Sequence, residues 1–138
     1  MERTLSIIKP DATSRNISGK INSMIEENGF HIIAQKRIKL SIDQAKEFYL
    51  VHKEKPFYEE LVNYMVSKPV IVQILESDNA VDKYRKLMGS TNPEDAEEGT
   101  IRKNFALSLQ ENSVHGSDSL DNAKNEIDFF FTEEEIVV

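Results

Sequence analysis

The stretch that most restricts the fold of this chain is the nearly unbroken apolar run Val70–Leu75, which follows Pro69 and is interrupted only by Gln73. A strand with apolar side chains at consecutive positions is covered on both faces or lies deep in a sheet. The rest of the chain must therefore supply layers on both sides of it. A chain of 138 residues is long enough for one such layered unit, burying roughly two-thirds of its unfolded surface. We expect residues 1–138 to form a single domain.

Strand and helix patterns alternate around this run. Thr4–Lys9 alternates like a strand and ends before Pro10, which lacks a backbone donor. Apolar residues recur at helical spacing between Ile17 and Asn28, and those of Phe30–Leu40 share one strand parity. The other predicted elements are a helix opened by the capping box Ser41–Gln44, a short helix from Pro56, a helix capped by Ser77 or Asp78 and ended by Gly89, a short strand at 113–115 and a helix capped by Ser119.

The order of these elements, β-α-β-(α-α)-β-α-loop-β-α, predicts the fold class. It favours an α/β (α+β) sandwich of the ferredoxin-like, split βαβ kind, with helices covering a four-stranded antiparallel sheet. Residues 89–111 have weak periodicity, so we expect a long, functional loop before the last strand. The inner helix faces are predicted to include Phe57 and Leu120. The tail is expected to pack through Phe129–Phe131 and to end in a solvated acidic terminus.

Composition excludes several classes of protein. The chain has no cysteine, which removes disulfides, thiolate nucleophiles and cysteine-ligated metals. Its net charge of −7 opposes nonspecific attraction to nucleic acid, which depends on many Lys and Arg residues. No run approaches the roughly 20 apolar residues that span a bilayer, and the N-terminus enters strand-like sequence without a signal-peptide core. We expect a cytoplasmic protein without a stable nucleic-acid or membrane partner.

His115 is the first candidate for chemistry among the three histidines. An imidazole with its ordinary pKa of about 6.5 is largely neutral, and so nucleophilic, near neutral pH. Gly116 allows close backbone approach, Ser117 offers a hydroxyl, and Glu126 lies on the following helix, from where it could turn back toward the ring. A carboxylate that holds one ring nitrogen leaves the other free to attack. His31 and His52 both have surface interpretations that need no function.

Three cations could meet an anionic ligand, although each has a structural alternative. Lys9 ends a strand, where side chains often meet ligands in α/β folds. Arg85 could merely pair with Asp82 on its own helix. Arg102 lies in the long loop, where a structural purpose is harder to supply. Because the sequence has neither a GxxxxGKS/T phosphate loop nor GxGxxG, phosphate recognition would rest on side chains.

Five motifs closely resemble, in sequence and in order, those of the nucleoside diphosphate kinase family. The last of them contains His115. The resemblance runs from Glu2 to about Phe131. The motifs are Ile8-Lys9-Pro10-Asp11, Lys55-Pro56-Phe57, Gly89-Ser90-Thr91-Asn92-Pro93, Gly99-Thr100-Ile101-Arg102 and Asn112-x-x-His115-Gly116-Ser117-Asp118-Ser119.

The resemblance implies a ping-pong kinase in which His115 takes the γ-phosphate of a nucleoside triphosphate and passes it to a different nucleoside diphosphate. It implies that Ser117 and Glu126 orient the histidine and that Lys9 also serves catalysis. Phe57 would stack on the base, and stacking on one aromatic tolerates every base. Mg²⁺ would arrive on the nucleotide phosphates and need few protein ligands. The residues implied to hold phosphates and ribose are Lys9, Tyr49, Arg85, Thr91, Arg102 and Asn112.

The chain departs from the family pattern in few places. Ala12 and Asn16 stand where many relatives have glycine, so local turn geometry is the feature they affect. We expect an extended C-terminal arm, of the kind that braces some oligomers, to be missing or short. We expect a homo-oligomer, either a tetramer or a hexamer.

Two other functions are compatible with parts of the sequence. A noncatalytic ferredoxin-like regulatory or RNA-binding module would need exposed sheet aromatics and a basic face, which the net charge opposes. A histidine phosphocarrier would take its phosphate from a partner protein instead of from a nucleotide. Phosphorylation by free ATP alone separates the carrier from the kinase.

Overall fold

The computed structural model describes Met1–Val138 and is built on one four-stranded antiparallel sheet. The strands are β1 (Glu2–Ile8), β2 (His31–Ile38), β3 (Val70–Ser77) and β4 (Val114–Gly116). Their order across the sheet is β2-β3-β1-β4, and every neighbouring pair is antiparallel. β1 and β2 therefore run parallel with β3 between them, which confirms the predicted split βαβ fold.

Seven helices complete the α+β fold. They are α1 (Pro10–Ser14), α2 (Ser18–Glu27), α3 (Ile42–Phe48), α4 (Tyr58–Met65), α5 (Ala80–Met88), α6 (Ile101–Phe105) and α7 (Leu120–Phe130). None of the helices is long and apolar enough to cross a membrane. Short 3₁₀ turns lie at Leu50–His52, Pro93–Asp95 and Glu133–Glu135.

The predicted central position of β3 is confirmed. All eight of its residues are buried. Val72 and Ile74 join one apolar cluster and Ile71 and Leu75 another, as expected when alternate side chains of a strand point to opposite faces. One core therefore lies on each side of the sheet.

The single parity predicted for Phe30–Leu40 is wrong in the middle of β2. The pairing of β2 with β3 shifts register between Ile32 and Ala34, so the consecutive residues Ile33 and Ala34 are both buried. A bulge adds one residue to one strand and reverses its alternation beyond that point. The pattern of apolar residues alone does not distinguish a bulge from an interrupted alternation.

Two predicted helix caps are confirmed, and the predicted cap of α5 needs correction. The capping box at Ser41 and the cap at Ser119 form as predicted. Neither Ser77 nor Asp78 caps α5; its N-cap residue is Asn79, which lies in the left-handed region with φ +53° and makes no side-chain capping bond. The carboxylate of Glu2 instead accepts from the Val81 amide at 2.8 Å, so a residue from the far end of the chain satisfies this helix terminus.

The inner faces of two helices also differ from the prediction. α4 begins at Tyr58, not at Pro56, and leaves Phe57 45% exposed. Leu120, at the first position of α7, is 61% exposed. Both residues lie at helix ends, where helical periodicity is a poor guide to the buried face. The long segment after Gly89 is not one loop, since it contains a 3₁₀ turn and α6.

The C-terminal tail packs back onto the sheet. Phe130 and Phe131 are buried as predicted. The acidic terminus is exposed but tethered, because Glu135 pairs with Lys36 of β2 at 2.7 Å. The Val137 amide donates to the Ile33 carbonyl at 2.8 Å. The terminus is therefore attached to the β2 edge of the sheet.

Candidate active site

The β1–β4 pairing positions His115, which lies opposite Ile7. Its ring Nε2 is 2.8 Å from Glu126 Oε1 on α7. The hydroxyl of Ser117 donates to the same oxygen at 2.8 Å and accepts from the Leu5 amide at 3.3 Å. With Nε2–H donated to the carboxylate, Nδ1 is the nitrogen left with a lone pair.

Aromatic rings form the wall beside the imidazole. Phe48 and Tyr49 lie with their ring centroids 5.4 and 6.4 Å from that of His115, both edge-on. The Tyr49 hydroxyl is buried and has no hydrogen-bond partner. Burial raises the pKa of Tyr49, and the nearby Glu126 charge raises it further, so the hydroxyl stays protonated and able to donate.

Lys9 lies at the junction of β1 and α1 and is only 8% exposed. Its Nζ donates to Asn112 Oδ1 at 2.8 Å and has no carboxylate within ion-pairing distance. Burial lowers the pKa of Lys9 to about 8, with repulsion from Arg102 adding to the effect and Asp11 opposing it. A buried ammonium without a carboxylate partner is unusual.

Arg102 is a second buried cation, also 8% exposed. α6 directs its guanidinium toward three backbone carbonyls: Gly89 at 3.0 Å, Val114 at 2.9 Å and Asn112 at 3.4 Å. It makes no ion pair. Burial lowers the pKa of Arg102, yet a guanidinium remains charged in proteins. Its contact with Val114 places this charge one residue from His115.

A cleft of about 740 Å³ opens beside Arg102. Arg85 and Thr91 line it as well. Arg85 is exposed and contacts the Asp118 carbonyl at 3.3 Å, with no ion pair to Asp82. The Thr91 carbonyl accepts from the Asn112 side chain at 3.4 Å. Asn112 thereby links Lys9 to the cleft.

Phe57 is the predicted site residue that the structure leaves apart. It lines neither that cleft nor the cavity of about 350 Å³ in which His115 lies. Its ring is 5.5 Å from that of His52, which in turn is stacked 6.4 Å from Tyr49. His52, for which the sequence predicts a surface position, lines the cavity of His115. His31 is exposed on β2 as expected.

A larger cavity lies elsewhere. It measures about 1060 Å³, lies between α3 and α4, and contains none of the predicted site residues. Size is therefore a poor guide to the site here, and the convergence of polar groups on His115 is a better one.

Two residues of the site carry no signal in the sequence that predicts their role. Phe48 packs on the imidazole, and Asp11, part of the Ile8–Asp11 motif, is buried beside Ser113. No group of three or more His, Asp or Glu side chains could hold a metal ion. Asn16 has φ +59°, and asparagine tolerates this left-handed conformation well. Asn16 therefore fits this turn, at a position where the family resemblance implies glycine.

Fold and site together define a class: an α+β protein that presents a carboxylate-held histidine beside buried, unpaired cations. The profile of the family described as "Nucleoside diphosphate kinase" matches residues 2–136. A nucleoside diphosphate kinase of Caulobacter sp. (strain K31) is 66% identical over 136 residues, covering 99% of this chain and 98% of the relative. One of Gluconobacter oxydans (strain 621H) is 64% identical over 137 residues, with the same coverage.

Solved structures agree with the sequence relatives. The Aquifex aeolicus nucleoside diphosphate kinase superposes with a TM-score of 0.96 at 41% identity, covering 99% of both chains. A halophilic nucleoside diphosphate kinase from Halobacterium salinarum, in complex with CDP, superposes with a TM-score of 0.95 at 36% identity. The match covers 99% of this chain and 91% of that one. The chain belongs to the nucleoside diphosphate kinase family, as its motifs predicted.

Proposed function

We propose that His115 is the residue through which this chain carries out the reaction of its family. The chain is a transferase that moves the γ-phosphate of a nucleoside triphosphate to a nucleoside diphosphate, by a ping-pong mechanism through a phosphohistidine. Splitting the transfer in two allows one nucleotide site to serve donor and acceptor in turn.

His115 Nδ1 is the proposed nucleophile. Its lone pair forms the N–P bond while the bond from the γ-phosphorus to the bridging oxygen breaks, and the electron pair leaves with the nucleoside diphosphate. In the second step a β-phosphate oxygen of the acceptor attacks the phosphorus, and the N–P bond breaks. Throughout, the proton stays on Nε2, which donates it in a hydrogen bond to the Glu126 carboxylate. The carboxylate stabilises the positive charge that the ring gains on phosphorylation. Ser117 holds that carboxylate in place.

The observation that carries the proposal is the pair of buried cations without carboxylate partners. Lys9 and Arg102 are each 8% exposed and make no ion pair. Buried charges are normally paired, so two unpaired cations in one place are suited to an anionic ligand. A transferring phosphoryl group spreads negative charge over its equatorial oxygens, and cations already in position stabilise it without reorganisation.

The remaining site residues are proposed to bind the nucleotide. Arg85, Thr91 and Asn112 border the cleft beside Arg102 or contact its wall, where phosphates and ribose would lie. The unpartnered Tyr49 hydroxyl can donate to a ligand oxygen. Phe57, which is 45% exposed, would stack on the base. The Halobacterium salinarum relative was solved with CDP, which supports a nucleoside diphosphate as ligand.

Mg²⁺ is proposed to enter with the nucleotide and to neutralise phosphate charge when bound. Mg²⁺ keeps several waters and takes few protein carboxylates in sites of this kind. Asp95 and Glu97 line the cleft beside Arg102 as separate carboxylates, a donor set that fits such an ion. We further propose a homo-oligomer, tetramer or hexamer, and a cytoplasmic setting.

Incubation of the chain with γ-labelled ATP tests the role of His115. We expect acid-labile, base-stable label on His115, and loss of both label and phosphate exchange in His115→Ala with the fold intact. His31→Ala, at an exposed histidine of β2, is the matched control and should keep full labelling.

Label on serine, or none, would remove His115 from the mechanism. Labelling that requires a second phosphorylated protein would favour the phosphocarrier. Exchange of phosphate between ATP and a deoxynucleoside diphosphate, with light scattering on the same sample, measures turnover and mass together.

A further inference from the structure

Asp11 carries a buried carboxylate that the proposed mechanism does not use. It lies in α1, and its side chain is 1% exposed. The carboxylate accepts from the Tyr64 hydroxyl and from Arg15 at 3.0 Å. It also accepts twice from Ser113, from the amide at 3.2 Å and from the hydroxyl at 3.0 Å. These four donors fill the positions that a carboxylate offers.

Ser113 has an unusual backbone conformation. Its φ is +73°, in the left-handed region that residues with a Cβ rarely adopt. The Val114 amide donates to the Asn112 carbonyl across it at 2.9 Å, which closes a three-residue γ-turn with positive φ, a rare and strained form. Such a conformation persists only where surrounding groups impose it. The two donors of Ser113 both end on Asp11.

The turn separates two groups of the proposed site. On one side, Asn112 accepts from Lys9 Nζ at 2.8 Å. On the other, the Val114 carbonyl accepts from Arg102 at 2.9 Å, and His115 follows. The Ser113 carbonyl accepts from the Lys9 amide at 2.9 Å, so the same turn is tied to the strand end that carries Lys9. Any rotation at Ser113 would change the direction of Asn112 relative to His115.

We propose that Asp11 is a positioning residue for phosphoryl transfer, which holds Ser113 in its left-handed conformation and thereby aims Asn112 and His115 at the same phosphates. The inference rests on the proposed role of His115. Misplacing a reacting group by about 1 Å can cost two orders of magnitude in rate, so a residue that never touches substrate can still control the reaction.

The single-turnover rate of His115 phosphorylation by ATP, in the full-length chain, tests this role. Asp11→Asn keeps the side-chain size but places amide hydrogens where two donors now point, so Ser113 keeps at most one of the two hydrogen bonds that it donates to this side chain. We expect the rate to fall at least tenfold, with a smaller change in KM. Tyr64→Phe is the matched control, since it removes one donor from the same carboxylate and leaves both Ser113 bonds. It should stay within threefold of the wild type.

Ser113→Gly distinguishes a positioning role of Asp11 from a merely stabilising one, because the two roles predict different rates for the double variant. Glycine adopts positive φ without help, so Ser113→Gly alone should react within threefold of the wild type. The double variant Asp11→Asn/Ser113→Gly should recover to within threefold of Ser113→Gly. Melting temperatures are measured in parallel, and all assays run below them. An Asp11→Asn chain as fast as wild type, a double variant as slow as Asp11→Asn, or a double variant that does not fold would overturn the positioning role.

The pH dependence separates positioning from an effect on Lys9. Asp11 opposes the lowering of the Lys9 pKa, so its loss could act by discharging Lys9. In that case the defect of Asp11→Asn would grow between pH 6.5 and 8.5 and the proposal would fail. A positioning role predicts that Asp11→Asn lowers the rate by the same factor at pH 6.5 and at pH 8.5. A wild-type chain that takes no label on histidine would instead overturn the proposed function itself, whatever the variants do.

Discussion

Lys9 carries a charge in a buried position, and burial disfavours the charged form of its side chain. The site surrounds the ammonium with protein and with the Arg102 charge, and its pKa falls to about 8. In the unfolded chain a lysine titrates near 10.4. Between these two values the unfolded state binds more protons, so this group's contribution to stability becomes more favourable as pH rises from about 8 to about 10.4, and it is unfavourable below 8. The cation is kept at a cost in stability.

Replacing Lys9 by methionine should therefore separate activity from stability. We expect Lys9→Met to lower kcat/KM about 100-fold, comparable to the loss of one pre-placed donor of about 3 kcal/mol. At pH 7 the free energy of unfolding should rise by roughly 1–3 kcal/mol. Urea unfolding at pH 7 and pH 9.5 measures the second effect, and the gain should shrink at the higher pH. A difference that does not vary with pH would contradict the buried, charged state of Lys9.

At the scale of elements, the close contact of β4 with α5 determines where His115 lies. Gly116 has no side chain, and a Cβ there would meet Met88 Cε at 2.6 Å and Tyr84 Cδ2 at 2.8 Å. The methionine tip can move, but Tyr84 is fully buried and its hydroxyl is held by Ser6 at 2.8 Å. The glycine is needed for this approach of strand to helix, not for a positive φ.

Gly116→Ala should consequently destabilise the fold. Overpacking of a dense core costs about 1–3 kcal/mol, and relief of the clash would shift β4 and lower the labelling of His115. Urea unfolding gives the free energy. Gly19→Ala is the matched control, because Gly19 lies in α2 with nothing within 4 Å of the added Cβ. It should stabilise by up to about 1 kcal/mol. Equal effects at the two glycines would contradict the close approach.

At the scale of the whole molecule, Lys36 joins the edge strand β2 to the chain end. Its Nζ donates to the Phe130 carbonyl at 2.7 Å, pairs with Glu135 at 2.7 Å and lies 4.8 Å above the Phe131 ring. Lys36 thus satisfies a carbonyl at the end of α7, and the tail covers part of an edge that would otherwise offer free backbone groups. The net charge of −7 leaves the molecule acidic as a whole, while its two buried cations, Lys9 and Arg102, both lie at the site.

Lys36→Met should loosen this attachment without removing the site. We expect a loss of about 1–2 kcal/mol in the free energy of unfolding, because a charged donor to a carbonyl is lost, and faster amide exchange at Val137. Glu135→Gln keeps the carbonyl bond and should lose less. Hydrogen exchange and urea unfolding measure the two effects. Unchanged exchange at Val137 would show that the tail is held by Phe130 and Phe131 alone.

Much of this structure could be predicted because the signals were local. The burial of Val70–Leu75, the caps at Ser41 and Ser119 and the end of α5 at Gly89 depend on residues within a few positions of one another. The cluster Asn112–Ser119 is likewise contiguous, so its resemblance to the family could be recognised without a fold.

The remainder depended on contacts between distant parts of the chain. Glu2 replaces the predicted cap of α5 across 79 positions, and Asp11 reaches Ser113 across 102. The bulge in β2 follows from pairing with β3. By itself, the sequence determined which residue types were available to the site and in what order. Only the tertiary structure decided that Lys9 and Arg102 are buried without carboxylates and that one imidazole nitrogen is held, because desolvation and hydrogen bonding exist only once the distant segments pack together.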